Sequence, residues 1–148
     1  MTPMAEHAEG TIEVYGTPAE IMGVIAGFDA YPEWVGNMDE AEVLERDRQG
    51  RATTVAFKLR TPVMNAAYTL AYRYEPDDLG VSWTYVEGSL QDLSGQYALE
   101  PLDDGTTRVT YRLEVDLGMP LPGLLKRQAA KQIVRSALGD LKQRVESA

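Results

Sequence analysis

Cysteine is absent from the 148 residues and histidine occurs once, at His7. The first absence removes disulfides, thiolate nucleophiles, zinc fingers and iron–sulfur clusters. The second leaves a Ser-His-Asp triad dependent on the polar opening stretch MTPMAEHAEG, and residues 1–10 read as a loose segment. Basic residues are also in the minority, fourteen against twenty-three acids. The resulting net charge of -9 repels a phosphate backbone, so no nucleic-acid partner is expected. No stretch approaches the roughly 18 apolar residues of a membrane span, and the opening residues lack the basic start and apolar run of a secretion signal. A cytoplasmic location without stable membrane insertion is the expectation. There is no Gly-x-Ser-x-Gly elbow, Gly-rich phosphate loop or metal-ligand spacing, so neither a cofactor nor a metal is expected.

What is present is the composition of a globular chain, 44% hydrophobic and 25% charged, and residues 1–148 read as one domain. Residues 11–15 alternate as a half-buried strand placing Ile12 and Val14 on one face. Thr17, Pro18 and Glu20 form an N-cap, a first-turn proline and a capping-box acid, so a helix is expected to about Phe28. Asp29 to Val35 suggest a second short helical turn. From about Met38 to Leu117, turn signals at 47–50, 60–62, 76–80, 87–88 and 103–105 divide the chain into short runs, as in an antiparallel meander of about six strands. Pro120 to Val145 reads as a long helix, with an apolar stripe through Leu125, Ala130, Ile133, Val134, Ala137, Leu138, Leu141 and Val145. This order gives an α+β domain in which a sheet packs on the terminal helix.

Successive side chains of a strand point to opposite faces, so parity separates the two surfaces of the meander. One parity holds Val55, Phe57 and Leu59; Tyr68, Leu70, Tyr72 and Tyr74; Val81, Trp83 and Tyr85; Leu93, Gly95, Tyr97 and Leu99; and Val109 to Leu117 in steps of two. The other holds nearly all the charges, with Glu87 the exception. An inner face without carboxylates or imidazole offers little for general acid–base chemistry. It offers rings, and each buried phenol or indole needs a hydrogen-bond partner. An apolar ligand with a few oxygen atoms would suit such a face; plain core packing gives the same periodicity.

The candidate ligand contacts are Trp34, Phe57, Tyr68, Tyr72, Trp83, Tyr85, Tyr97, Tyr111, Leu125 and Gln128, with no catalytic set among them. Trp34 fits either the mouth of a cavity or the packing of its short helix. Tyr68, Tyr72 and Tyr111 would offer hydroxyls to a carbonyl or serve as neutral proton donors, and Gln128 interrupts the apolar stripe. Residues 120–148 carry a local charge of +4 against -13 for the remainder, so the terminal helix could meet a protein partner or simply present a solvated face.

The opening strand with Thr-Pro-Ala-Glu-Ile-Met, the segment Ala30-Tyr31-Pro32-Glu33-Trp34, Trp83 with Gly88, Leu90, Gly95 and Tyr97, the run Thr107 to Tyr111, and Pro-Leu-Pro-Gly before the last helix appear in an order that resembles the polyketide cyclase/dehydrase and lipid-transport superfamily. That superfamily takes in START-like, Bet v 1-like and SRPBCC proteins, and its coenzyme Q-binding and cyclase-like bacterial members are the nearest in look. The resemblance implies a helix-grip fold, a seven-stranded antiparallel sheet curled around the C-terminal helix with two short helices after the first strand and a hydrophobic cavity between. It also implies a small hydrophobic ligand such as a lipid, an isoprenoid quinone or an aromatic polyketide. The alternatives are an aromatase/cyclase acting on a poly-β-ketone chain and a protein-interaction module; fold alone does not choose among them.

Overall fold

A computed structural model describes residues 6–62, 65–118 and 120–147. Its elements are β1 (Glu6–Tyr15), α1 (Pro18–Ile25), a 3-10 turn (Phe28–Ala30), α2 (Tyr31–Trp34), β2 (Met38–Arg46), β3 (Ala52–Arg60), β4 (Asn65–Tyr74), β5 (Gly80–Gly88), β6 (Asp92–Pro101), β7 (Thr106–Asp116) and α3 (Gly123–Glu146). The strands form one seven-stranded sheet in the order β1-β7-β6-β5-β4-β3-β2, antiparallel at every junction. This is the helix-grip α+β architecture, with α3 lying on β1 and β7 and the short helices closing one side. No helix among the described residues is long and apolar enough to cross a membrane.

Local chemistry sets the starts and stops. The Thr17 hydroxyl accepts the Glu20 N–H at 3.1 Å and donates to the Glu20 carboxylate at 3.2 Å, which satisfies a first-turn amide that the helix itself cannot. The helix ends at Ile25 rather than at Phe28, because Gly27 leaves helical geometry and Phe28 opens the 3-10 turn. Pro120 and Pro122 fall outside α3, which begins only at Gly123.

Two expectations need correction. Residues 6–10 are not loose: they are the first half of β1, paired from Glu6 opposite Val115 to Gly10 opposite Tyr111. Their inward positions, Ala8 and Gly10, are small because α3 passes over them. A Cβ on Gly10 would stand 2.8 Å from Val134 Cγ1 and 3.0 Å from Leu138 Cδ1. Glu87 is no exception to the outward charges either. A bulge between the Thr69–Glu87 and Leu70–Tyr85 pairs inserts Val86, so the parity of β5 resets and Glu87 is exposed beside Thr69.

The buried line of α3 runs through Ala130, Val134, Leu138 and Leu141, continued toward the N-terminus by the half-buried Lys126. Leu125 lies about 140° around the helix from Ala130, and it is accordingly 47% exposed. Gln128 is also exposed. Toward its C-terminus α3 is held by polar contacts: the Gly36 amide donates to Asp140 Oδ2 at 3.0 Å, and Arg144 meets Glu33 at 3.2 Å.

Candidate functional site

The inward parity of the strands brings rings together by register. Phe57 of β3 stands opposite Tyr68 of β4, Tyr72 opposite Trp83 of β5, and Tyr97 of β6 opposite Tyr111 of β7. Trp83 faces Gly95, and the glycine is required: a Cβ there would sit 2.6 Å from the indole Cζ2 and 2.4 Å from the Arg112 carbonyl oxygen. The short helices supply three more rings, Phe28, Tyr31 and Trp34. Phe28 is 4.5 Å from Tyr72 and 4.9 Å from Tyr31 between ring centroids, and Tyr31 is 5.0 Å from Trp34. Trp83 then links Tyr72 at 5.9 Å, Tyr97 at 5.6 Å and Tyr111 at 5.4 Å. The result is a continuous ring-lined trough along the inner face of the sheet.

Burial along the trough is uneven. Trp83, Tyr97 and Tyr111 are 5%, 7% and 8% exposed, whereas Trp34, Tyr68 and Tyr72 are half-buried. The trough is thus covered at β6–β7, where α3 and α1 pack, and more open at β4. Beyond the Trp83–Gly95 pair β5 and β6 part company, with no ladder pairs between them. An open concavity of about 560 Å³ on the outer face of the sheet reaches Trp83 through this parting; its walls are mostly polar, with His7, Glu9, Gln96, Arg112 and Glu114 among them, and no other ring of the network lines it.

The polar tips differ in what they bond. The Tyr31 hydroxyl donates to the Ile25 carbonyl oxygen, and the Tyr74 hydroxyl to Ala52 at 2.8 Å. The Tyr85 hydroxyl donates to the Leu90 carbonyl oxygen at 2.9 Å and accepts the Leu90 amide at 3.2 Å, so it staples the β5–β6 connection. Its ring is outside the aromatic contacts of the trough. By contrast, the hydroxyls of Tyr68, Tyr72, Tyr97 and Tyr111 and the indole N–H of Trp83 have no hydrogen-bond partner among the described residues, and none of these atoms is sealed away from solvent. Solvent therefore satisfies these five groups, and a ligand oxygen reaching them would take the place of that solvent.

Among the residues proposed from sequence, the structure unites Trp34, Phe57, Tyr68, Tyr72, Trp83, Tyr97 and Tyr111 in one ring network. Leu125 and Gln128 sit on the exposed side of α3, and Tyr85 is committed to Leu90. Three participants were not singled out. Phe28 and Tyr31 carry a legible signal, since Phe28, Tyr31 and Trp34 recur every three residues, the repeat of a tight helical turn. The third is Asp140, whose charge lies close enough to raise the Tyr97 phenol; reading α3 for its apolar stripe passes over it. Among the described residues no group of three or more His, Asp or Glu could hold a metal ion.

Burial pushes the phenols of Tyr31, Tyr72, Tyr97 and Tyr111 well above the ordinary value of 10.0, and the nearness of other phenols adds to the effect. Burial alone raises Tyr68. All five stay neutral donors at ordinary pH. In the unfolded chain they ionise at their ordinary value, so their contribution is constant below about pH 10 and stability falls as pH rises past it. Tyrosinate absorbance should therefore rise in a late step that coincides with loss of far-ultraviolet circular dichroism. Smooth ionisation of all eight tyrosines with the fold intact would contradict the burial described.

Residues 15–142 match the family model for polyketide cyclase / dehydrase and lipid transport, and the chain belongs to that family. Solved structures share the architecture at low identity. A START superfamily protein from Mycobacterium smegmatis superposes with a TM-score of 0.87 at 20% identity, over 95% of this chain and 97% of its own. An aromatase/cyclase from a Streptomyces species gives 0.78 at 16% identity, over 96% and 94%. A STAR-related lipid transfer protein from Xanthomonas axonopodis gives 0.71 at 16%, over 95% and 85%. No curated protein matches the chain in sequence.

Proposed function

We propose that the protein binds and carries a small, uncharged hydrophobic molecule bearing carbonyl or ether oxygens, seated in the ring-lined trough. Isoprenoid quinones, aromatic polyketides and neutral lipids have this chemistry. One observation carries the reading: Trp83, Tyr97 and Tyr111 are more than nine-tenths buried among other rings, and their N–H and O–H groups, which solvent still reaches, bond no other described residue. An oxygen-bearing ligand would replace that solvent as the acceptor while its apolar body covers the rings. The absence of a lysine or arginine from the ring network argues against a carboxylate ligand, whose charge would be desolvated without compensation.

A ligand burying on the order of 300 Å² of apolar surface gains about 7–8 kcal/mol. Association and ordering remove several of these, which leaves an affinity in the micromolar range. The indole of Trp83 reports directly on the site. With Trp34→Phe leaving Trp83 as the sole tryptophan, titration with a short-chain quinone should quench its emission saturably. Tyr97→Phe and Tyr111→Phe should each weaken binding about fivefold to tenfold, the value of a lost hydrogen bond. No quenching by quinones, together with empty protein in native mass spectra after lipid exposure, would overturn the carrier reading.

A second reading is an aromatase/cyclase, the activity named for one of the structures that share this fold. On that reading Asp140, a half-buried carboxylate of α3 whose charge adds to the rise of the Tyr97 phenol, would remove the proton and a neutral phenol would donate one during enolisation and water loss. Asp140→Asn would then abolish cyclisation of a poly-β-ketone while leaving quinone binding within about twofold. Loss of neither property would reduce Asp140 to its tie with Gly36.

A further inference from the structure

The sheet has two free edges, β2 and β1, and they are not alike. Ladder irregularities interrupt β2 between Met38 and Glu40, between Val43 and Glu45, and between Glu45 and Arg46, which blunts it as a template. β1 keeps an unbroken register from Glu6 to Tyr15. Two contacts from α3 reveal which of its backbone groups face outward. Lys142 Nζ donates to the Glu13 carbonyl oxygen at 2.7 Å, and the Tyr15 amide donates to Glu146 Oε2 at 3.0 Å. The N–H and C=O of one strand residue point to the same side and alternate along the chain, so odd-numbered residues serve the free edge. Glu13 and Tyr15 are therefore covered by α3. His7, Glu9 and Thr11 present their backbone groups to the edge with no partner among the described residues.

A groove of about 530 Å³ runs along this uncovered stretch, between residues 7–12 and Lys131, Val134, Arg135, Leu138 and Gly139 of α3. The helix and the strand run in the same direction, since Val134 and Leu138 lie over Gly10 while Lys142 and Glu146 reach Glu13 and Tyr15. Lys131 and Arg135 thus flank the open half of β1, and neither has an ion-pair partner among the described residues, unlike Lys142 and Arg144. On the opposite face of the strand, His7 lies 3.2 Å from Glu114 and Glu9 pairs with Arg112. Lys131 and Arg135 are therefore two unpaired positive charges on the helix side of this edge, in a chain whose net charge is -9.

We propose that the open half of β1 takes an extended acidic segment of a partner protein as an added strand. Backbone bonds to His7, Glu9 and Thr11 supply the pairing, and Lys131 and Arg135 select the sequence. The spacing fits this occupant: four helical residues rise about 6 Å and two strand residues about 6.8 Å, so carboxylates at alternate positions meet both cations. The surface is separate from the ring-lined trough, and its test does not depend on what the trough binds.

The test is fluorescence anisotropy of the full chain with a labelled eight-residue peptide alternating glutamate and threonine. Two controls accompany it: a peptide of the same composition with its glutamates in one block, and the alternating peptide N-methylated on every second amide. Saturable binding is expected for the alternating peptide alone. The double variant Lys131→Glu with Arg135→Glu should weaken it at least about fivefold. Thr11→Pro, which removes an outward N–H without touching the β7 ladder, should weaken it as well, and its melting temperature shows whether the fold is kept. The peptide controls stand even if that variant fails to fold. Equal binding of all three peptides, or none at millimolar concentration, would overturn the proposal. So would sedimentation showing a dimer that the double variant dissolves, because the occupant would then be a second copy of this chain.

Discussion

Phe28→Ala should lower the unfolding free energy by about 3–5 kcal/mol, the usual cost of deleting a buried phenyl ring. Phe28 is 1% exposed and its ring contacts those of Tyr31, Phe57 and Tyr72. It joins the short helices to the sheet. Because the new hollow would be lined by rings and has the size of the deleted phenyl group, it should take up benzene, and saturating benzene should restore part of the lost melting temperature. Chemical denaturation with and without the hydrocarbon measures both effects. A loss under about 1 kcal/mol would mean that the short helices do not pack on the sheet as described.

Gly95→Val should be nearly as damaging, for the opposite reason. The position has no room for a Cβ, which would meet the Arg112 carbonyl oxygen at 2.4 Å and the Trp83 ring at 2.6 Å. Either the β6–β7 ladder opens or the indole leaves its place; overpacking of this kind costs about 1–3 kcal/mol and at times more. The fluorescence of Trp83 distinguishes the two outcomes. Displacement of the indole shifts its emission to the red and removes ligand quenching even where the fold survives. Unchanged emission with unchanged stability would contradict the Trp83–Gly95 packing.

The parts of the fold that could be read from sequence are those where one local rule had no competitor. Thr17, Pro18 and Glu20 announce α1 because a cap acts within four residues. The inner face announces itself because β3 to β7 place rings on one parity and charges on the other. β1 is harder to read in its first half. Its inward residues there are Ala8 and Gly10, chosen for contact with α3 more than a hundred residues later in the chain, and without that knowledge Glu-His-Ala-Glu-Gly has the composition of a loop. Leu125 misleads for a related reason: it belongs to the apolar composition of α3 but not to the line of the helix that the sheet covers. In the candidate site, parity gathers Phe57, Tyr68, Tyr72, Trp83, Tyr97 and Tyr111. It is silent about which hydroxyls remain unpaired, because the partners of Tyr31, Tyr74 and Tyr85 are carbonyl oxygens brought near only by the folded chain.

The strand order carries a kinetic consequence. β2 to β7 can zip together through short hairpins, but β1 pairs with β7 across most of the sequence, and α3 settles only once both are in place. Closing so long a loop costs entropy before any contact repays it. Contact order therefore predicts that the pairing of β1 with β7 and the docking of α3 are late steps of folding. On the proposed carrier role, ligand present while the chain folds would reach the rings before the first strand and the last helix close over them.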